Sequence, residues 1–272
     1  MPSAELILLA LSPVFLCCIV LEFCLARRFY RYQDSATNTA LALLHQAADG
    51  LALLLLMPYF SLLHQSAWFV IPFNGWTLCL AFILQDFLYY WFHRASHRIH
   101  WFWAAHAVHH SSKWMNLTTA FRQSVMYPVA GMWLFWTPMM LLGYPPQLVF
   151  TVVALNLAFQ FFVHTQTVKR LGWLEHIFNT PSHHRVHHGK NPCYLDKNFA
   201  GVLIIWDKLF GTFQHELADT PVEFGIVGKA PSNNPLACNF SPWYWLFKQY
   251  RAASGYKAKL NVLFGPPNHE PE

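Results

Sequence analysis

Apolar residues in this chain come in long runs, over about 5–26, 40–62, 68–92, 124–143 and 145–167. Each run approaches or exceeds the roughly 20 residues that carry an α-helix across a bilayer core. The pattern predicts an all-α, polytopic membrane bundle of about four to five spans. The tight Gly143-Tyr144-Pro145-Pro146 turn leaves two readings of the last pair, as full spans or as re-entrant helices. A polar stretch at 93–123 separates the third run from the fourth, and a mixed segment, 168–272, follows the fifth. The layout predicts one domain over 1–272: spans 1–3 in 1–92, a first histidine region in 93–123, spans 4–5 in 124–167, and a cap in 168–272.

Basic residues orient these runs. Arg27, Arg28 and Arg31 follow the first, Arg94, Arg98, Lys113 and Arg122 lie between the third and fourth, and Lys169, Arg170 and all later ones follow the fifth. Because Lys and Arg favour cytoplasmic loops, the N-terminus is expected outside and the C-terminus inside. The chain then reads as a multi-pass protein of a bacterial inner membrane or the endoplasmic reticulum, with a cytoplasmic cap. The first run carries Glu5 and no basic leader region, which reads as a retained span. Composition agrees: 55% of the 272 residues are hydrophobic and only 11% charged, against about 25% charged in soluble domains. A formal charge of +5 spread in this way gives no reason to expect a nucleic-acid partner. Four of the six cysteines, Cys17, Cys18, Cys24 and Cys79, lie in apolar runs, and no C-x-x-C occurs. Neither a disulfide framework nor a thiolate metal site is expected.

Twelve of the sixteen histidines fall between His93 and His188. His93 and His97 are spaced i,i+4, while His106, His109 and His110 are spaced i,i+3,i+4, as are His184, His187 and His188. On helices these intervals put the side chains of each cluster on one face. The predicted topology adds His164, at the inner end of the fifth run, to the same depth. Thr180-Pro181 reads as an N-cap with proline at the first position of a short helix that Gly189 ends. His183 then points about 100° away from its neighbours, beside the ligand set rather than in it. Packed imidazoles that cannot all protonate need a shared partner, and imidazole is the commonest side-chain metal ligand. Eight or nine histidines exceed one ion's needs and divide as four or five on each of two. The absence of H-E-x-x-H argues against a zinc protease.

Outside the clusters, Asp86 lies seven residues before His93, two turns up the same face, placed to orient a ligand ring through its second N–H. Glu175 and Asp196 are weaker candidates for that role. His45 and Asp49, at i,i+4 in the second run, either line a substrate tunnel or tie two spans together. His64, His100, His176, His215 and His269 read as structural or surface residues.

The order H-x-x-x-H, H-x-x-H-H, lone His, H-x-x-H-H resembles the membrane fatty acid hydroxylase/sterol desaturase superfamily, and within it the alkylglycerol monooxygenase branch. The likeness is carried by the stretches from Asp86 to Arg94, His109 to Ser112, Asn116 to Ser124, Asn179 to Gly189, Asp196 to Asn198, and Ile204 to Phe213. It implies an integral-membrane di-iron monooxygenase acting with O2 on a lipid C–H bond. The implied ligands are His93, His97, His106, His109, His110, His164, His184, His187 and His188; Asp86 and His183, by their positions beside these, are expected in supporting catalytic roles. An external donor would supply electrons: tetrahydrobiopterin in the branch resembled, a haem or iron–sulfur carrier elsewhere in the superfamily. On an ether lipid, hydroxylation beside the ether oxygen gives a hemiacetal that collapses to an aldehyde and free glycerol. Where the branch has Glu after the second histidine of the first box, this chain has Arg98. The enzymatic alternative is a hydroxylase or desaturase of a sterol, fatty acyl or aminolipid substrate. A metal transporter, the alternative of another class, would spread its histidines along the spans.

Overall fold

The computed structural model describes residues 4–267, with side chains from Ile7 on, so His269 and the Glu5 side chain lie outside the described residues. Two helices, α1 (Ala4–Ala26) and α2 (Tyr32–Gln65), are long and apolar enough to cross a membrane. Leu25, Leu54 and Leu55 on them are each more than 70% exposed, an outward apolar face that lipid would cover.

The third run does not become a helix along its whole length. Residues 68–74 form a strap, held by Trp68 N–H on the Leu141 carbonyl at 2.8 Å. Helix α3 (Gly75–Arg98) starts at Asn74 because a reciprocal capping box with Thr77 closes its first turn. From there it runs past the expected inner boundary and carries both His93 and His97.

The fourth run, expected as one span over 124–143, is broken into α5 (Tyr127–Ala130), a 3-10 turn over Met132–Trp136, and α6 (Thr137–Leu142). Pro128 and Pro138 lack the N–H a continuous helix needs, and Gly131 at φ 80° reverses the chain between them. The turn at Gly143 needs glycine, since at φ 116° an added Cβ would lie 2.1 Å from the Phe69 carbonyl oxygen. Helix α7 (Pro146–Phe161) follows, and its 16 residues measure only about 24 Å. Of the four to five expected spans, α1 and α2 are helices long and apolar enough to cross, α3 is as long but begins seven residues late, and the last two runs form shorter helices.

Helix α7 packs on α1 and α3, and α2 packs on α6 and on the 3-10 turn Leu117–Phe121. Tyr89, Trp136, Met139, Met140, Leu148 and Val152 fill the space between α3, α6 and α7. Below them α4 (His100–His110) folds back against α3 and packs on α10 (Pro235–Ala252) through Ala104, Ala105, Trp243 and Leu246. The short helices α8 (Pro181–His187) and α9 (Ile205–Leu209) and the terminal α11 (Tyr256–Phe264) complete the chain. Among the described residues no strand forms beyond two isolated bridges, Phe178 to Leu203 and Gly189 to Phe224.

Two buried polar clamps join the membrane arm to this lower layer. Glu22 of α1 accepts from Leu117 N–H at 2.8 Å and from the Thr165 hydroxyl. Arg122, fully buried, reaches Asp34 at 3.2 Å, Asn38 at 2.8 Å, Ser111 at 2.8 Å and the Ser232 carbonyl at 2.9 Å. Burying these charges is tolerable because Arg122 is paired with Asp34 and Glu22 is hydrogen-bonded.

Candidate metal centre

Four pieces of chain bring imidazole to one buried place: the end of α3, helix α4, the residues just after α7, and α8. The i,i+4 and i,i+3,i+4 spacings work as helical geometry requires, and all nine rings are at most 5% exposed. They fall into two groups. His93, His97, His106, His110 and His187 form one, and His109, His164, His184 and His188 form the other. Within each group the nearest nitrogens all lie within 4.8 Å of one another. The groups touch where His110 stacks on His188, ring centres 4.3 Å apart.

The outer nitrogens are fastened mostly by backbone carbonyls. His93 Nδ1 lies 2.8 Å from the Phe199 carbonyl oxygen, His164 Nδ1 2.7 Å from Gln160, and His187 Nδ1 3.0 Å from Lys197. His109 Nδ1 lies 3.2 Å from the Arg122 carbonyl, with the Gln123 amide the longer contact at 3.4 Å. A carbonyl only accepts, so Nδ1 must carry the proton, and each Nε2 is left as a bare lone pair. Those lone pairs point at other imidazole nitrogens. His164 Nε2 lies 3.1 Å from His109 Nε2 and 2.9 Å from His184 Nε2, which itself lies 3.1 Å from His188 Nε2. His106 Nε2 sits likewise between His93 at 3.0 Å and His110 at 3.1 Å.

One nitrogen cannot make two ordinary hydrogen bonds along a single lone pair, and facing lone pairs repel. A cation at each focus removes the conflict. Two nitrogens each about 2.1 Å from an ion, at a right angle, are about 3.0 Å apart. The donor set therefore fits a metal pair. Burial and neighbouring imidazoles push the rings of His106, His109, His110, His184, His187 and His188 well below their ordinary pKa, which keeps them neutral and ready to ligate.

The remaining predicted residues take other places. Asp86 reaches no ligand ring. It accepts from Asn156 at 2.8 Å, Val202 N–H at 2.8 Å, Leu203 N–H at 3.0 Å and Trp206 Nε1 at 2.9 Å. With Asp207, which accepts from Phe199 N–H and Ala200 N–H at 2.8 Å each, it shapes the loop whose Phe199 carbonyl holds His93. Its effect on the site is through that loop. Gly201 is packed so tightly there that a Cβ would lie 2.7 Å from Asn156 Oδ1 and 3.0 Å from Asp86 Oδ1.

His183 is buried outside both groups, with Nε2 4.0 Å from a Glu175 carboxylate oxygen and its ring against Phe213. Burial brings its pKa down to about 4. Thr180 stands at the N-cap of α8 as expected, but its hydroxyl donates to Glu175 at 3.2 Å instead of capping the helix. Asp196, rather than Asp86, faces one of the nine rings: its carboxylate lies 3.6 Å from His97 Nδ1 and 3.4 Å from Arg98 Nε. His45 lies 3.2 Å from Asp49 and 3.0 Å from the Ser124 carbonyl, so it ties α2 to the segment before α5. His64 sits in the last turn of α2, away from the rings.

Sequence reasoning missed Tyr127, whose hydroxyl lies 2.9 Å from His106 Nδ1. Nothing in its spacing marks it. It also missed why Asp196-Lys197-Asn198 matters. Asp196 and Asn198 both adopt positive φ, 57° and 56°, which Asp and Asn tolerate best among residues with a Cβ. This places the Lys197 carbonyl against His187. A pair of Asx residues flanking one position was the available signal.

The sequence model of the fatty acid hydroxylase family matches residues 78–212, which contain all nine rings. The chain is 44% identical to an alkylglycerol monooxygenase of Danio rerio over 73% of its own length and 44% of the relative's. For the Homo sapiens alkylglycerol monooxygenase the figures are 43%, 75% and 45%. An ornithine lipid hydroxylase of Rhizobium tropici is 32% identical, over 57% of this chain and 47% of the relative. The chain thus spans less than half the length of these relatives. No solved structure matches. Residues 78–212 of the chain are thus a fatty acid hydroxylase family domain.

Proposed function

We propose that the chain is an integral-membrane monooxygenase that hydroxylates a lipid C–H bond with O2 at a pair of iron ions. The carrying observation is the convergence of Nε2 lone pairs whose tautomers are fixed by carbonyls on the far side of the rings. His93, His97, His106, His110 and His187 would hold one ion, and His109, His164, His184 and His188 the other. The ions, when bound, supply the reduction of O2 and the delivery of one oxygen atom to the substrate, with electrons from an external donor such as tetrahydrobiopterin.

The chain's own residues do the rest. The Phe199, Gln160, Arg122 and Lys197 carbonyls set ring orientation. Asp196 and the Tyr127 hydroxyl hold His97 and His106, and Asp86 and Asp207 fix the loop beneath His93. Burial of every ring keeps bulk water away. The relatives' names favour an alkylglycerol ether lipid, whose hemiacetal product would release an aldehyde and glycerol. Arg27, Arg28 and Arg31 end α1 near this layer, since Arg31 lies over Trp114, just beyond α4. That supports a cytoplasmic active site under a multi-pass bundle.

The test is iron content and O2 uptake by the purified full chain, given an alkylglycerol, an aminolipid or a sterol with tetrahydrobiopterin. We expect about two irons per chain and substrate-dependent uptake highest with the alkylglycerol. Tight metal with no lipid oxidation would favour the transporter, although all nine rings cluster at one end of the bundle.

A further inference from the structure

Beside the end of α1 lies a second concavity, unrelated to the histidines. It is a groove of about 830 Å³ between the last turns of α1 and the first turn of α2, with Thr118 on its floor. Ile19, Val20 and Phe23 form its upper wall, and Arg27, Arg28 and Arg31 its lower rim. The groove therefore changes from apolar to cationic along the direction in which α1 leaves the apolar layer.

Arg31 Nη1 donates to the Tyr30 carbonyl at 3.0 Å, but the charge of the three arginines is not neutralised internally. Among the described residues no carboxylate pairs with Arg27, Arg28 or Arg31; their guanidinium groups lie over the rings of Phe23, Phe29 and Trp114. The two nearby acids face away and are already engaged, Glu22 with Leu117 and Thr165, and Asp34 with Arg122 and Ser112. No acid lines the groove. Ser35, which does, has a buried hydroxyl oxygen without a hydrogen-bond partner.

We propose that this groove binds a phospholipid of net negative headgroup from the surrounding membrane. The phosphate would lie among the three arginines and the Ser35 hydroxyl, and the first part of an acyl chain along Ile19, Val20 and Phe23. Charge complementarity selects the headgroup, and the apolar wall selects a lipid over a free anion. Guanidinium forks match phosphate oxygens, and basic residues at a membrane surface attract anionic lipid by about 1 kcal/mol each. Three together give a preference on the order of 100-fold over a zwitterionic lipid.

The experiment titrates the full chain in non-ionic detergent with dioleoyl phosphatidylglycerol or dioleoyl phosphatidylcholine, reading retained lipid by native mass spectrometry. Phosphatidylglycerol is expected to bind on the order of 100-fold more tightly and to resist competition by millimolar inorganic phosphate. The triple change Arg27→Gln, Arg28→Gln, Arg31→Gln should remove that preference. Val20→Trp, which keeps every charge and fills the apolar wall, should weaken retention of phosphatidylglycerol and guards against misfolding of the triple variant. Equal retention of the two lipids, full displacement by phosphate, or unchanged retention in Val20→Trp would overturn the proposal.

Discussion

The two histidine groups are neighbours built by different means. In the four-membered group, the two rings with a fastened outer nitrogen, His109 and His164, lean on main-chain carbonyls. In the five-membered group, main chain holds His93 and His187, but Asp196 and the Tyr127 hydroxyl hold His97 and His106. A pocket of about 20 Å³, room for one water, touches both groups, at His97, His110 and His187 of the five-membered one and at His188 of the four-membered one. The contrast teaches that one site is fixed by fold and the other partly by replaceable side chains, with one ring to spare.

The sharpest way to break this contrast is to remove one ring from each group. His164→Ala leaves three ligands in its group and opens the contact with His109 and His184. We expect its iron content to fall to about half and turnover by more than about 100-fold, beyond the 10–100-fold typical of losing an outer partner. His97→Ala leaves four, the number its sister group has naturally, so it should keep most of its iron and lose less activity. Metal analysis and O2 uptake on the two variants decide. Equal losses would show that the fifth ring is as necessary as the others.

A smaller effect should follow from Asp86→Asn, which keeps the size but removes charge from the acceptor of four hydrogen bonds. Bonds to a charged group contribute about 1.5–3 kcal/mol each, and an amide presents one acceptor edge where Asp86 presents two. A stability loss of about 3 kcal/mol is expected, seen as a Tm lowered by roughly 6 °C or more. Because the loop it shapes serves His93, iron should leave the five-membered group first. Loss from the four-membered group instead would contradict the path through Phe199. Tyr127→Phe comes next. It removes only the oxygen beside His106, and metal affinity should drop about tenfold, with Tm nearly unchanged.

What the sequence made legible follows from what repeats along it. The i,i+3,i+4 histidine spacing, the α1 helix, the lone His164 after an apolar run and the Pro181 start of α8 could all be read, because helical periodicity and proline act locally. The ring fasteners could not, since a carbonyl belongs to every residue and Phe199, Gln160 and Lys197 carry no mark of that duty. Asp86 lies on α3, but its partners come from far along the chain: Asn156 from α7, Val202 and Leu203 from the loop before α9, and Trp206 from α9 itself. The fourth span looked continuous by hydropathy alone. Its prolines and Gly131 are the physical reason it is not one helix, and they were present to be weighed. In each miss a long-range partner or a backbone torsion decided the outcome.

The smallest expected effect tests which member of the outer pair matters. Arg98 stands where relatives of the alkylglycerol branch are expected to have an acid, and here it lies 3.4 Å from Asp196 with its side chain half exposed. Exposed ion pairs contribute about 0–1 kcal/mol, so Arg98→Ala should change stability by less than about 1 kcal/mol and iron content hardly at all. Asp196→Asn acts closer, because the same carboxylate faces His97 Nδ1 at 3.6 Å. It should weaken metal retention in the five-membered group about tenfold, leaving the four-membered group unaffected. If Arg98→Ala matched Asp196→Asn, the arginine would be the part that aims the carboxylate, and the five-membered group would depend on a half-exposed arginine acting through a mostly buried aspartate. If neither change had an effect, His97 would be held by packing, in which the rings of Trp103 and Phe199 lie 5.1 and 5.2 Å from its own, and the two groups would differ in ring number but not in how they are fixed.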